Sequence, residues 1–82
     1  MNIEKRYIVC RNIDGVLYGY SPNTEPQWVP DLMTAEYYPY MNIEFPGIAE
    51  WLRNKYTEFR DHADLCVVEL KIKASIEVKV AV

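Results

Sequence analysis

The sequence has few of the residues that carry most catalytic and metal-binding chemistry. Its 82 residues include one histidine, two cysteines and three glycines. There is no CxxC spacing, no histidine cluster and no glycine-rich phosphate loop, so no known zinc or nucleotide-binding motif is present. His62 could serve as a base, or could join Glu58, Asp61 and Asp64 in a weak cation site, but a solvated histidine at a helix end is favoured. We therefore expect no enzymatic activity and no cofactor.

Long apolar runs are also missing. No segment approaches the roughly 18 consecutive apolar residues of a membrane-spanning helix, and the N-terminal stretch MNIEKRYIVC lacks the apolar core of a signal peptide. These absences favour a cytoplasmic protein. Cys10 and Cys66 fall within apparent strands, which favours two buried thiols in a reducing compartment and leaves a single disulfide between them open. Cys10 is expected to pack as a small residue and not to act as a nucleophile.

Basic residues are absent from the middle of the chain. Between Arg11 and Arg53 there is no lysine or arginine, whereas this interval holds the carboxylates of Asp14, Glu25, Asp31, Glu36, Glu44 and Glu50. The acidity behind the net charge of −3 is therefore concentrated there. Direct binding of nucleic acid usually needs a basic patch, so the sequence argues against it. An acidic mimic of nucleic acid is a sharper alternative, but this carboxylate density is ordinary and favours a solvated face.

Apolar and aromatic side chains are abundant. Half of the residues are hydrophobic and seven are tyrosines, which is enough for one folded domain spanning residues 1–82. The dipeptide Asp14-Gly15 lies between two strand-like runs and suits a two-residue type I′ turn. Such a turn predicts a hairpin in which Cys10 faces Gly19 and Arg11 faces Tyr18.

One longer helix is predicted over residues 46–62. Pro46 suits its first turn, and apolar residues then recur at spacings of three and four. This apolar stripe consists of Ile48, Leu52, Tyr56, Phe59 and Ala63. A helix with such a stripe is expected to pack on a sheet.

The segment from Cys66 to Val82 alternates with a period of two. Every even-numbered position is apolar, and most odd-numbered positions are charged or polar. A two-residue turn would swap this parity, so one continuous strand is favoured, although a three-residue turn with a bulge would preserve it. A single strand of this length would outrun the hairpin beside it. Its far half would then bury Ile76, Val78 and Val80 against a second copy of the chain, in a homodimer.

The segment 36–45, EYYPYMNIEF, is the strongest candidate for partner recognition. It interleaves large rings with carboxylates, and tyrosine and methionine are enriched in protein interfaces. The predicted partner-binding residues are Asp31, Glu36, Tyr37, Tyr38, Tyr40 and Glu44. Packing of the same rings over an open face of the sheet is the alternative. Just before this segment, Pro30 and Asp31 are expected to begin a short helix.

Together these elements predict an α+β fold. The expected sheet is antiparallel and consists of the N-terminal hairpin and a long C-terminal strand, with the helix over 46–62 covering it. The segment 21–45, interrupted by prolines, is expected to wrap an edge of the sheet.

The turn at Asp14-Gly15, Trp28, the sequence Asp31-Leu32-x-x-Ala35 and the order of elements resemble small accessory proteins of bacteriophages and prophages. The resemblance implies a non-enzymatic protein that binds and inhibits a host factor, such as a component of an anti-phage defence system, in the host cytoplasm. The acidic, tyrosine-rich region 31–45 would then contact a partner with a basic surface. The alternative function is sequestration of a small nucleotide-like signal in a dimer cleft lined by tyrosines.

Overall fold

The computed structural model describes residues 2–82. Within them the chain forms β1 (Glu4–Ile13), β2 (Val16–Tyr20), β3 (Trp28–Val29), α1 (Ile48–Lys55), β4 (Leu65–Ile72) and β5 (Ile76–Ala81). A 3₁₀ turn, Thr57–Phe59, lies between α1 and β4. The strands form one antiparallel sheet in the order β3-β2-β1-β4-β5. The fold is therefore α+β, as the sequence predicts, with more sheet than helix.

The dipeptide Asp14-Gly15 forms the turn between β1 and β2. Both residues have positive φ, 54° for Asp14 and 83° for Gly15, which is the backbone conformation that a type I′ turn requires. The register places Cys10 opposite Gly19 and Arg11 opposite Tyr18. These are the pairs expected from the sequence, because a two-residue turn fixes the register of both arms.

The C-terminal segment is two strands, so the expectation of a single long strand is wrong. The residues Lys73, Ala74 and Ser75 join β4 to β5, and Ile72 lies opposite Ile76. An odd number of turn residues keeps even-numbered residues opposite even-numbered residues, so the alternation passes through the turn unchanged. The hydrophobic pattern is therefore the same for one strand and for this hairpin.

Both faces of the sheet carry buried apolar clusters. On the face covered by α1, which we call the helix face, the buried residues are Val9, Ile48, Ala49, Leu52, Phe59, Leu65 and Val67. On the opposite face they are Ile8, Cys10, Ala35, Cys66, Val68 and Leu70. Because side chains alternate along a strand, β1 and β4 contribute to both clusters and form the centre of the domain.

The helix α1 is shorter than the predicted helix over residues 46–62. It begins at Ile48 after Gly47, whose φ is 74°, and it ends at Lys55 because Tyr56 is extended, with φ −117° and ψ 126°. The chain then makes the 3₁₀ turn and reverses toward β4, which begins at Leu65. Of the predicted apolar stripe, Ile48, Leu52 and Phe59 are buried, whereas Tyr56 and Ala63 are exposed.

The segment 21–45 does more than wrap an edge. Its residues 28–29 add β3 to the outer side of β2, and the following turn packs Leu32 and Ala35 on the opposite face. The short helix expected from Pro30 is not formed. The Asp31 carbonyl accepts a hydrogen bond from the Thr34 amide, and its carboxylate accepts one from the Met33 amide, both at 3.1 Å. These bonds close a turn that does not continue as a helix, because the chain is extended by Tyr38, which pairs with Tyr7 of β1.

Gly19 of β2 allows this turn to lie close to the sheet. A Cβ atom at this position would be 2.6 Å from the Cβ of Ala35 and 3.2 Å from side-chain atoms of both Ile8 and Leu32. Any residue larger than glycine would therefore push the turn away from the strand. Just beyond this contact, the amide of Glu36 donates a hydrogen bond of 3.0 Å to the carbonyl of Tyr20.

Cys10 and Cys66 are free, buried thiols on the opposite face, as the strand pattern favours. They lie directly opposite each other on β1 and β4. Burial raises the pKa of Cys10 to about 12 and that of Cys66 to about 11. Both side chains are therefore neutral at physiological pH and pack as small apolar groups.

Candidate functional site

A groove on the helix face is lined mainly by aromatic side chains. It lies between the segment 36–41, α1 and the 3₁₀ turn, and its volume is about 370 Å³. We call it the aromatic groove; the rings that line it are Tyr20, Tyr38, Tyr40, Trp51, Tyr56 and Phe59. The carboxylates of Glu36 and Glu58 line it as well. Among the residues that the structure describes, no lysine or arginine lines this groove.

The segment 36–38 reaches the groove because it runs alongside β1 as an extended chain. The amide of Tyr38 donates to the carbonyl of Tyr7 at 2.8 Å, and the amide of Tyr7 donates to the carbonyl of Tyr38 at 3.0 Å. Side chains of an extended chain alternate between faces. Glu36 and Tyr38 therefore point to the helix face, whereas Tyr37 points to the opposite face and lies 4.3 Å from the Arg6 guanidinium.

The floor of the groove is built around Phe59. Its ring meets the Tyr20 ring edge to face at a centroid distance of 5.0 Å and the Tyr56 ring at 5.9 Å. The Trp28 ring lies 6.1 Å from Phe59 and also contacts the His62 ring at 5.3 Å. Phe59 is buried, so this aromatic cluster fixes the positions of the tyrosines that are open to the groove.

The two carboxylates act on the tyrosine hydroxyls of the groove. Burial raises the pKa of Tyr38, and the charges of Glu36 and Glu58 raise it further. Burial also raises the pKa of Tyr20, with added contributions from the same two carboxylates. Both hydroxyls therefore stay protonated near neutral pH and can donate hydrogen bonds. The groove combines ring faces, hydroxyl groups and negative charge, which is the chemistry that binds a cationic group.

The rim of the groove already holds a cation over aromatic rings. The Nζ atom of Lys55, in the last turn of α1, lies 4.7 Å from the centre of the Trp51 ring and 5.7 Å from that of the Tyr56 ring. Trp51 and Tyr56 are 45% and 39% exposed, so much of each ring is still open to solvent. These rings are therefore able to contact a partner as well as Lys55.

The apolar surface continues past Trp51. Trp51 also lines a second depression of about 340 Å³, together with Met41, Phe45 and Ile48 among others. Phe45 is 44% exposed. The two depressions adjoin, because Met41 and Trp51 line both of them.

The structure brings together only part of the predicted partner-binding set. Glu36, Tyr38 and Tyr40 all line the aromatic groove. Asp31 closes the turn before the segment, and Tyr37 lies on the opposite face. Glu44 accepts a hydrogen bond of 2.8 Å from Lys79 of β5, outside the groove.

The sequence alone does not assign Tyr20, Trp51 or Tyr56 to a site, and it considers Glu58 only for a weak cation site with Asp61, His62 and Asp64. The sequence pattern predicts Tyr56 in the apolar helix stripe, but Tyr56 lines the groove because the helix ends one residue earlier. Trp51 could have been found from its position beside that stripe, since a large ring at the border of an amphipathic helix is partly exposed.

The predicted dimer residues lie on β5. Ile76, Val78 and Val80 are exposed and share the face of the sheet that carries Val68 and Leu70. Their role in an interface remains a prediction.

Over residues 2–82, no three His, Cys, Asp or Glu side chains come together where they could hold a metal ion. The same residues include no helix with the length and apolar character needed to cross a membrane. Comparison of the chain with protein-family models, curated proteins and solved structures finds no match.

Proposed function

We propose that this protein is a non-enzymatic binding protein whose aromatic groove takes a lysine or arginine side chain from a basic surface of another protein. The observation that carries the proposal is the lining of the groove, which combines six aromatic rings with Glu36 and Glu58, whereas Lys55 lies only at the rim, over Trp51 and Tyr56. Aromatic faces attract ammonium and guanidinium groups, and the attraction grows when the cation is desolvated. The carboxylates would steer the basic partner to the groove.

A protein is a better fit to this surface than a small molecule. The aromatic groove shares Met41 and Trp51 with a second depression that Phe45 also lines, so the apolar surface includes more than one cavity. Partly exposed tryptophan and tyrosine rings are the residues that most often dominate protein interfaces. In keeping with the resemblance to phage accessory proteins, we propose that the partner is a host or defence-system protein in the cytoplasm and that binding inhibits it.

Binding of a small nucleotide-like signal is the second candidate. The volume of about 370 Å³ falls within the range of small-molecule pockets. However, Glu36 and Glu58 would repel a phosphate group, and Lys55 at the rim supplies only one positive charge against these two negative ones. The polarity of the groove therefore favours the cationic ligand.

The proposal can be tested with two short peptides that differ in the sign of their single charge. Acetyl-Leu-Arg-Leu-amide and acetyl-Leu-Glu-Leu-amide would each be titrated into the ¹⁵N-labelled protein, with the Trp51 indole N–H and the amides of residues 36–41 as reporters in NMR spectra. We expect the arginine peptide to shift these signals and the glutamate peptide to leave them unchanged.

Charge-reversed variants distinguish binding at the aromatic groove from a general attraction between the peptide and the net charge of the protein. Replacing Glu36→Lys and Glu58→Lys together should weaken binding of the arginine peptide at least tenfold. The matched control is Glu25→Lys with Asp61→Lys, which changes the net charge equally at two exposed positions outside the groove. Equal losses in both variants would refute a specific site. Shifts of the same signals by AMP, with none by the arginine peptide, would support the nucleotide alternative.

A further inference from the structure

The last strand, β5, is an edge with an uncovered apolar face. It pairs with β4 on one side, and within residues 2–82 no other strand pairs with its outer side. Ile76, Val78 and Val80 are 51%, 52% and 47% exposed. Proteins usually protect such an edge with prolines, bulges or charges. β5 has no proline, and its charged side chains, Glu77 and Lys79, lie on the helix face, away from the apolar stripe.

We propose that a second copy of the chain pairs antiparallel with this edge, with a two-fold axis at Val78. An axis perpendicular to the sheet keeps the helix faces of both copies on the same side, and residues equidistant from the axis lie opposite each other. Val78 is then opposite the partner's Val78, and Ile76 is opposite the partner's Val80. This inference does not depend on what the aromatic groove binds.

Charge selects this register over its neighbours. With the axis at Val78, Glu77 lies opposite the partner's Lys79, and Lys79 lies opposite the partner's Glu77. Moving the axis by one residue would place either two Glu77 side chains or two Lys79 side chains opposite each other. Opposite charges across a strand pair are stabilising, whereas like charges are destabilising. Of the three registers with the axis at residue 77, 78 or 79, only the one at Val78 therefore places opposite charges across the two β5 strands.

The same register extends the pairings already present between β4 and β5. Within one chain, Lys79 is opposite Glu69 and Glu77 is opposite Lys71. Across the two-fold axis, the row on the helix face becomes Glu69, Lys79, the partner's Glu77 and the partner's Lys71, with alternating sign throughout. On the opposite face, Leu70 and Val78 meet the partner's Val78 and the partner's Leu70 in one apolar row. Both faces of the joined sheet thus match at the contact.

Two single substitutions test the charge pairing. The Glu77→Lys chain carries two lysines at positions 77 and 79, and the Lys79→Glu chain carries two glutamates there. By light scattering, we expect the unsubstituted chain to be a dimer and each variant alone to dissociate, with at least a tenfold higher dissociation constant. An equimolar mixture should form a heterodimer, because every lysine then faces a glutamate. Circular dichroism would verify that each variant is folded.

Cross-linking tests the register in an otherwise unsubstituted chain. Cross-strand neighbours lie about 5 Å apart, so Val78→Cys should be joined to its counterpart by a short thiol-specific linker. In the Ile76→Cys control the two thiols would be about 14 Å apart along the strand direction, and the same linker should fail. A monomeric unsubstituted chain would overturn the proposal. So would a dimer that persists in both charge variants or that cross-links equally at positions 76 and 78.

Discussion

Substitution of Gly19→Ala tests whether the turn over residues 31–35 holds the aromatic groove in place. The new methyl group would lie 2.6 Å from the Cβ of Ala35, which has no rotamer that could move it aside. Overpacking of this kind lowers the free energy of unfolding by about 1–3 kcal/mol. Alanine also lowers the conformational entropy of the unfolded chain, which raises the free energy of unfolding by about 0.4–1 kcal/mol. We expect a net loss of about 1–2 kcal/mol in the free energy of unfolding.

The assay is urea unfolding followed by tryptophan fluorescence, together with a thermal melt. For a domain of this size, each kcal/mol lowers the midpoint of thermal unfolding by about 4–8 °C. The substitution should also shift the amide signal of Glu36, because that amide bonds to the Tyr20 carbonyl next to the altered residue.

A double-mutant cycle with Ala35→Gly isolates the contact. Removing the Cβ of Ala35 relieves the shortest clash. The loss of unfolding free energy caused by Gly19→Ala should therefore be about 1 kcal/mol smaller in the Ala35→Gly protein than in the unsubstituted chain. The relief is incomplete because Ile8 and Leu32 still approach to 3.2 Å. Strictly additive effects, or a Gly19→Ala protein as stable as the unsubstituted chain, would refute the close packing of this turn on β2.

Two further predictions concern titratable groups. Arg11 donates two hydrogen bonds to Asp64, at 2.9 and 3.0 Å, and this pairing holds the pKa of the Asp64 carboxyl below its usual value. Asp64→Asn should therefore lower the free energy of unfolding by about 1–2 kcal/mol at pH 7. The loss should become smaller below about pH 4, because this carboxyl group is protonated in the unfolded chain before it is protonated in the folded chain. Urea titrations that give the same loss at pH 3 as at pH 7 would contradict this prediction. Burial raises the pKa values of Cys10 and Cys66, so Ellman's reagent at pH 8 should react with two thiols per chain in urea and with none in the native protein. Prompt native reaction would mean that the opposite face is open to solvent.

The parts of the fold that local chemistry determines could be predicted from the sequence. Asp14-Gly15 permits one tight turn, and that turn fixes the Cys10 and Gly19 pair. The turn at residues 73–75 could not be predicted in the same way, because a three-residue turn leaves the alternation of apolar residues unchanged. The early end of α1 at Lys55 depends on the reversal of the chain toward β4, which is a tertiary constraint without a local signal.

The candidate site likewise contains residues that the sequence pattern predicts and residues whose positions depend on contacts between distant parts of the chain. Composition identified the acidic, tyrosine-rich segment, and Glu36, Tyr38 and Tyr40 do line the groove. Tyr37 was predicted with them because its neighbours are similar, yet the extended backbone turns it to the other face. The opposite orientations of Tyr37 and Tyr38 follow from the pairing of Tyr38 with Tyr7. That pairing joins distant parts of the chain, so the sequence pattern alone does not predict it.

The pairing of β1 with β4 has a consequence for the order of folding. The β1–β2 and β4–β5 hairpins each form from neighbouring residues, whereas the pairing of β1 with β4 joins residues far apart in the sequence, with Glu4 opposite Ile72. Contacts between distant residues require closure of a long loop and are slow to form. The loop that closes here contains the segment 36–41 and α1, which carry most of the groove. A ribosome-bound chain lacking β4 is therefore expected to have the first hairpin and no aromatic groove, so the groove should form only after β4 has been synthesised.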